Sequence, residues 1–142
     1  MTDEEIITVP IHLDPSRPIY LQIMEEIKKR AVRGIYAPGM QLPSVRDLAR
    51  EMEVNPNTVA RVYMELEREG FIVTRRGQGS FLTEDHALMN SERTRLGLEA
   101  MNQFARVINE LGLSREQRGD IAVRVTRMIT RNIDDSAPYE EE

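Results

Sequence analysis

The chain has 142 residues, 40% of them hydrophobic and 30% charged, which suits one domain with a real core, or one domain and a small appendage. It has no cysteine and only two histidines, His12 and His86, far apart in sequence. That excludes a disulfide framework, a Cys-ligated zinc and a thiolate nucleophile, and disfavours a His-based metal or catalytic site. Nineteen bases against 24 acids give a net charge of −5, a balance that, taken whole, speaks against a nucleic-acid partner.

The charge is unevenly spread. Residues 1–11 carry three acids and no base, residues 12–83 carry 11 bases and 9 acids, and residues 84–142 carry 8 bases and 12 acids. Five of the seven aromatics (Tyr20, Tyr36, Tyr63, Phe71 and Phe81) also fall in the basic middle segment. The acidic start lacks the basic region of a signal peptide. No stretch approaches the roughly 18 apolar residues that span a bilayer, so a soluble, cytoplasmic protein is expected.

In chain order, Pro18 opens a helix running to about Arg33, with Tyr20, Ile23, Ile27 and Ala31 at helical spacing and Gly34 as its stop. A turn-like Tyr36-Ala-Pro-Gly-Met40 follows. Ser44 then reads as an N-cap, with Asp47 at N3, for a short helix burying Val45, Leu48, Ala49 and Met52. Asn55-Pro56 supplies a cap and an N1 proline for a third helix whose core stripe is Val59, Val62, Tyr63 and Leu66. Two helices joined by so short a turn make a helix-turn-helix.

After Gly70 the period changes. Residues 71–75 read as a strand, Arg76-Gly-Gln-Gly79 as its turn and residues 80–83 as the return strand. The fold class is therefore mainly α with a small β-hairpin wing: a winged helix-turn-helix followed by a two-helix segment. In the latter, Leu96, Met101, Phe104, Ile108 and Leu111 recur at spacings of three to five and Gly112 ends the first helix. Ser114-x-x-Gln117 is a capping box for the second, with Ile121, Val125, Met128 and Ile129 on its apolar face. The expected organisation is an N-terminal arm (1–11), a DNA-binding domain (12–83), a helical dimerisation segment (84–133) and an acidic tail (134–142) that frays.

Candidate chemistry lies on the third helix and the wing. Asn57 and Arg61, four apart, stand on the face opposite the core stripe, beside Thr58 and the small Ala60. Asn suits an adenine edge and Arg a guanine edge, and the free N–H groups of the helix start suit phosphate; the plainer reading is a solvated polar face. Arg46 points away from Val45, Leu48 and Ala49, towards a groove rim or an acid such as Glu51. Arg75 and Arg76 flank Gly77 and Gly79 with no acid within seven residues downstream, which suits a minor groove or phosphate.

Residues 18–83 resemble the DNA-binding domain of GntR-type bacterial transcription regulators. The likeness runs through Pro18-Ile-Tyr-Leu-Gln-Ile23, Leu42-Pro-Ser-Val-Arg-Asp-Leu48, Val54-Asn-Pro-Asn-Thr-Val59, Glu65-Leu-Glu-Arg-Glu-Gly-Phe71 and Arg76-Gly-Gln-Gly-Ser-Phe81. It implies a recognition helix in the major groove and a wing tip at the minor groove. Arg46, Asn55, Asn57, Thr58 and Arg61 are the implied groove contacts, and Arg76, Gly77 and Gln78 the wing contacts. Some relatives carry arginine where this chain has Pro56 and Ala60, so contacts made there do not transfer. The short C-terminal part is similar to that of the YtrA-like branch, in which a helical pair mainly builds a homodimer.

Two amphipathic helices without a third layer leave an apolar stripe that a symmetric dimer covers, setting two half-sites about 34–36 Å apart. The alternative is that both helices fold back on their own winged helix. The leading functional expectation is a homodimeric, sequence-specific transcriptional regulator, a repressor at a two-fold-related operator on double-stranded DNA. The alternative is a winged-helix protein-interaction module. No nucleophile–base pair, phosphate loop or metal cluster points to an enzyme, and no cofactor is implied. A small-molecule effector is left open, placed at the dimer interface or between it and the winged helix.

Overall fold

The structure, a computed structural model, describes residues 11–131. Most of the expected arm (1–11) and the whole of the expected tail (134–142) lie outside the described residues. The element order is α1 (Ile19–Val32), α2 (Val45–Met52), α3 (Pro56–Arg68), β1 (Ile72–Arg75), β2 (Gly79–Leu82), α4 (His86–Glu110) and α5 (Arg115–Thr130). Two compact units divide within α4, the first reaching Leu96 and the second starting at Gly97.

In the first unit α1 and α2 both pack on α3. Pro18 stands as the N-cap of α1 rather than inside its first turn. The apolar stripes close on one another: Ile23, Ile27, Leu48, Val59, Val62 and Leu66 are buried, as are Phe71, Ile72 and Leu82 from the wing. Each such side chain contributes about 1.5–3 kcal/mol by leaving water. Arg30 is buried too, and it is kept charged by partners on two helices. It donates to Glu26 (3.2 Å), Glu51 (2.8 Å) and the Tyr36 hydroxyl (3.0 Å). Burial raises the Tyr36 and Tyr63 hydroxyls above the ordinary phenol range; the Tyr63 hydroxyl donates to the Pro43 carbonyl, tying α3 to the entry of α2.

The wing is an antiparallel pair in which Ile72 faces Leu82 and Arg75 faces Gly79. Phe71 is left out of the strand because its amide donates back to Leu66 (2.9 Å), ending α3. A two-stranded hairpin is marginal in water by itself, and this one is supported from behind. The segment before α2 bonds along β2: Gly39 to Leu82 (2.9 Å), Leu82 to Met40 (2.9 Å) and Leu42 to Ser80 (2.8 Å), with Gln41 bridging to Phe81.

The compact first unit extends past residue 83, because Met89 and Glu92 of α4 are buried and Arg93 donates to the Val32 carbonyl (3.2 Å) at the end of α1. In the second unit, Ser114 and Gln117 form the reciprocal capping box, with bonds of 3.1 and 2.9 Å. Arg118 closes the α4–α5 turn by donating to Asn109 (3.1 Å) and the Leu113 carbonyl (3.3 Å). No residue of α5 is buried.

Candidate nucleic-acid interface

The start of α3 is built by its caps. Asn55 Oδ1 accepts from the Asn57 amide (2.8 Å) and Pro56 occupies the first turn, where its missing N–H costs nothing. Asn55 thus spends one acceptor site of its side-chain oxygen on the cap, while its amide donors have no hydrogen-bond partner among the described residues. Asn57 and Arg61 are exposed on the helix face opposite Val59, Val62 and Leu66, while Thr58 and Ala60 are half-buried beside them. The guanidinium of Arg61 lies over the ring of Tyr20 from α1, its carbon 4.0 Å from the ring centroid.

Arg46 is exposed on α2, one turn before Arg50. With Ala49, Glu53, Val54 and Pro56 these two arginines border a shallow depression of about 440 Å³ at the helix-turn-helix corner. Glu53, in that corner, has φ +56° and is the non-glycine residue with positive φ among those described.

At the wing tip Gln78 N–H donates to the Arg75 carbonyl (2.9 Å), and Gly77, third in this turn, has φ +76°, a conformation glycine adopts without penalty. Arg76, Gly77 and Gln78 are exposed, and Arg75 lies over the Phe81 ring at 4.6 Å. Gln41 donates to the Gln78 carbonyl (2.9 Å), holding the tip from behind. The acids Glu65 and Glu67 of α3 and its cap residue Glu69 sit further along: Glu65 pairs with Arg68 (3.1 Å) and Glu69 with Lys28 (2.8 Å). Sequence reasoning overlooked Arg50, Gln41 and the two aromatic seats. The Arg75–Phe81 seat follows from the hairpin register, whereas Tyr20 and Arg61 meet only once α1 is packed on α3.

The nine residues expected to dimerise divide by exposure. Leu96 belongs to the first unit. Ile108, Ile121 and Val125 are half-buried, while Met101, Phe104, Leu111, Met128 and Ile129 are exposed, together with Leu98, Val107 and Val123. Among the described residues no group of His, Asp and Glu side chains is placed to hold a metal ion, and no helix is long and apolar enough to cross a membrane.

A short-turned helix pair, followed by a hairpin with a bare basic tip, defines a winged helix-turn-helix DNA-binding protein. Residues 19–82 match the bacterial regulatory proteins of the gntR family. The chain is 45% identical over 102 residues to the uncharacterized HTH-type transcriptional regulator YhcF of Bacillus subtilis, covering 72% of this chain and 84% of that one. It is 51% identical over 77 residues to the HTH-type transcriptional repressor YtrA of the same organism, covering 53% of this chain and 59% of YtrA. A GntR family transcriptional regulator from Listeria monocytogenes superimposes with a TM-score of 0.69 at 37% identity, over 79% of this chain and 98% of that one. The chain belongs to the GntR family, on its YtrA-like branch, and is a DNA-binding transcriptional regulator.

Proposed function

We propose that the protein is a homodimeric repressor that reads a two-fold-related operator. The observation that carries the reading is the exposure of Arg46, Asn57, Arg61, Arg75, Arg76 and Gln78 on the helix-turn-helix and wing, while Glu65 and the cap residue Glu69 at the far end of α3 are occupied by Arg68 and Lys28. In this reading Asn57 and Arg61 take base edges in the major groove, with Asn55 and Thr58 beside them. Arg46 takes phosphate at the rim, Arg76 takes phosphate beside the minor groove, and Arg75, Gly77 and Gln78 take the minor groove. That YtrA of Bacillus subtilis is a transcriptional repressor supports the sign of regulation.

The dimer rests on the second unit, whose exposed apolar side chains include Met101, Phe104, Leu111, Met128 and Ile129. A monomer seldom leaves so much apolar surface in water. The groove bordered by Met101, Phe104, Ile108 and Ile121, about 280 Å³, is filled by a second copy; a small-molecule effector would compete for that same apolar site.

Footprinting on fragments selected from the host genome tests the reading: two protected half-sites one helical turn or a multiple apart are expected. Binding should weaken steeply with salt; shallow salt dependence with no footprint would turn the assignment towards a protein partner. Phe104→Glu should give a monomer by sedimentation and abolish the paired footprint.

A further inference from the structure

We propose that Tyr20 is a positioning residue that fixes the Arg61 guanidinium for base readout, an inference that rests on the reading of α3 as the recognition helix. Arg61 projects from α3 on the side away from the core, where a long side chain has many rotamers to lose on binding. Its guanidinium is held instead over the Tyr20 ring, 4.0 Å from the centroid. Stacking of this kind uses the π face of the guanidinium and leaves its N–H edge free for a bidentate acceptor such as the O6/N7 edge of guanine.

Three further observations point the same way. The carboxylate best placed to capture Arg61, Glu65 one turn along, is bonded to Arg68 (3.1 Å), and Arg61 forms no ion pair among the described residues. The Tyr20 hydroxyl has no hydrogen-bond partner among the described residues, so the ring face is what it contributes. Finally, Tyr20 is held in register with α3: about two turns further along α1, Lys28 pairs with Glu69 (2.8 Å) and lies over Phe71 (5.0 Å), while Ile23 and Ile27 are buried beneath. Arg46 and Arg76 have neither an aromatic seat nor an ion pair among the described residues, as befits phosphate contacts that tolerate many geometries.

The test uses the full chain and a randomised double-stranded oligonucleotide pool, from which the wild type selects its preferred site. Arg61→Ala should lose about tenfold or more in discrimination at one base pair of each half-site. Tyr20→Leu should lose preference at that same pair and not at others, Tyr20→Phe should keep it, and Tyr20→Leu added to Arg61→Ala should change discrimination no further. Loss of preference in Arg61→Ala with full retention in Tyr20→Leu overturns the positioning role while leaving Arg61 as a reader. Unchanged preference in Arg61→Ala instead removes the base-reading assignment itself. A loss in Tyr20→Phe equal to that in Tyr20→Leu makes the hydroxyl a direct contact and also overturns the proposal. Should Tyr20→Leu fail to fold, the DNA-free wild type and Tyr20→Phe still decide: upfield ring-current shifts of the Arg61 δ and ε protons are expected in both, and their absence overturns it.

Discussion

Glu53 holds the left-handed conformation at the end of α2, φ +56°, that a glycine more commonly fills. An L side chain there costs about 1 kcal/mol, part of which the stiffer unfolded chain offsets. Glu53→Gly should therefore raise stability by roughly 0.5 kcal/mol in urea denaturation. The same carboxylate stands in the corner with Arg46 and Arg50, so its removal should also strengthen binding to non-operator duplex at low salt. Arg76, exposed at the tip and without an ion pair among the described residues, is proposed above as a phosphate contact. Arg76→Ala should leave sequence preference intact and reduce the salt slope of log K by about 0.9 per protomer, measured by titrating potassium chloride. At this scale the sequence shows which arginines lack local carboxylates. It does not show which rest on rings, because Tyr20 and Arg61 lie 41 positions apart and meet only through the α1–α3 packing.

Among the elements, helices announce themselves by apolar spacing and caps. Ser44, Asn55 and Ser114 each accept from the amide their caps require. Strand ends are less legible: β1 starts at Ile72 because Phe71 closes α3, and β2 starts at Gly79 because the hairpin register pairs it with Arg75. The compact first unit runs on to Leu96 since Met89 supplies a core side chain, a contribution no local pattern signals. The dependence of the wing on the segment behind it is open to a direct test. At Gly79, with φ +113°, an added Cβ would come within 2.8 Å of Gln41 Nε2, the atom that tethers the Gln78 carbonyl. Gly79→Ala should cost about 1–2 kcal/mol, with amide-exchange protection lost mainly across β1 and β2 and little change in α5.

For the molecule as a whole, two buried phenols set an alkaline limit. Burial raises both Tyr36 and Tyr63 above the ordinary value of 10.0. The unfolded chain therefore releases these protons first, so their contribution is fully present below pH 10 and is lost as pH rises through the folded values. The urea midpoint should be level from neutrality to about pH 10 and fall above it. In Tyr63→Phe the alkaline fall should be shallower, from a lower plateau, because the Pro43 carbonyl loses its donor. The net charge of −5 likewise gains meaning only when its distribution is placed on the molecule. Glu65 and Glu69 at the far end of α3 pair with Arg68 and Lys28, whereas Arg46, Arg50, Arg61, Arg75 and Arg76 are exposed on the helix-turn-helix and the wing.

The bonds that join residues 39–42 to β2 have a metrical consequence. With Gln41 fastened to the wing tip and Tyr63 fastened to Pro43, the reading helix and the wing are two arms of a fixed-span caliper. A caliper measures separation as well as chemistry. Inserting a single base pair between the major-groove and minor-groove contacts of one half-site moves the second contact about 3.4 Å along the duplex axis and turns it by about 35°. On the contacts proposed above, an operator with every contacted base intact but its internal spacing wrong should therefore be rejected by length.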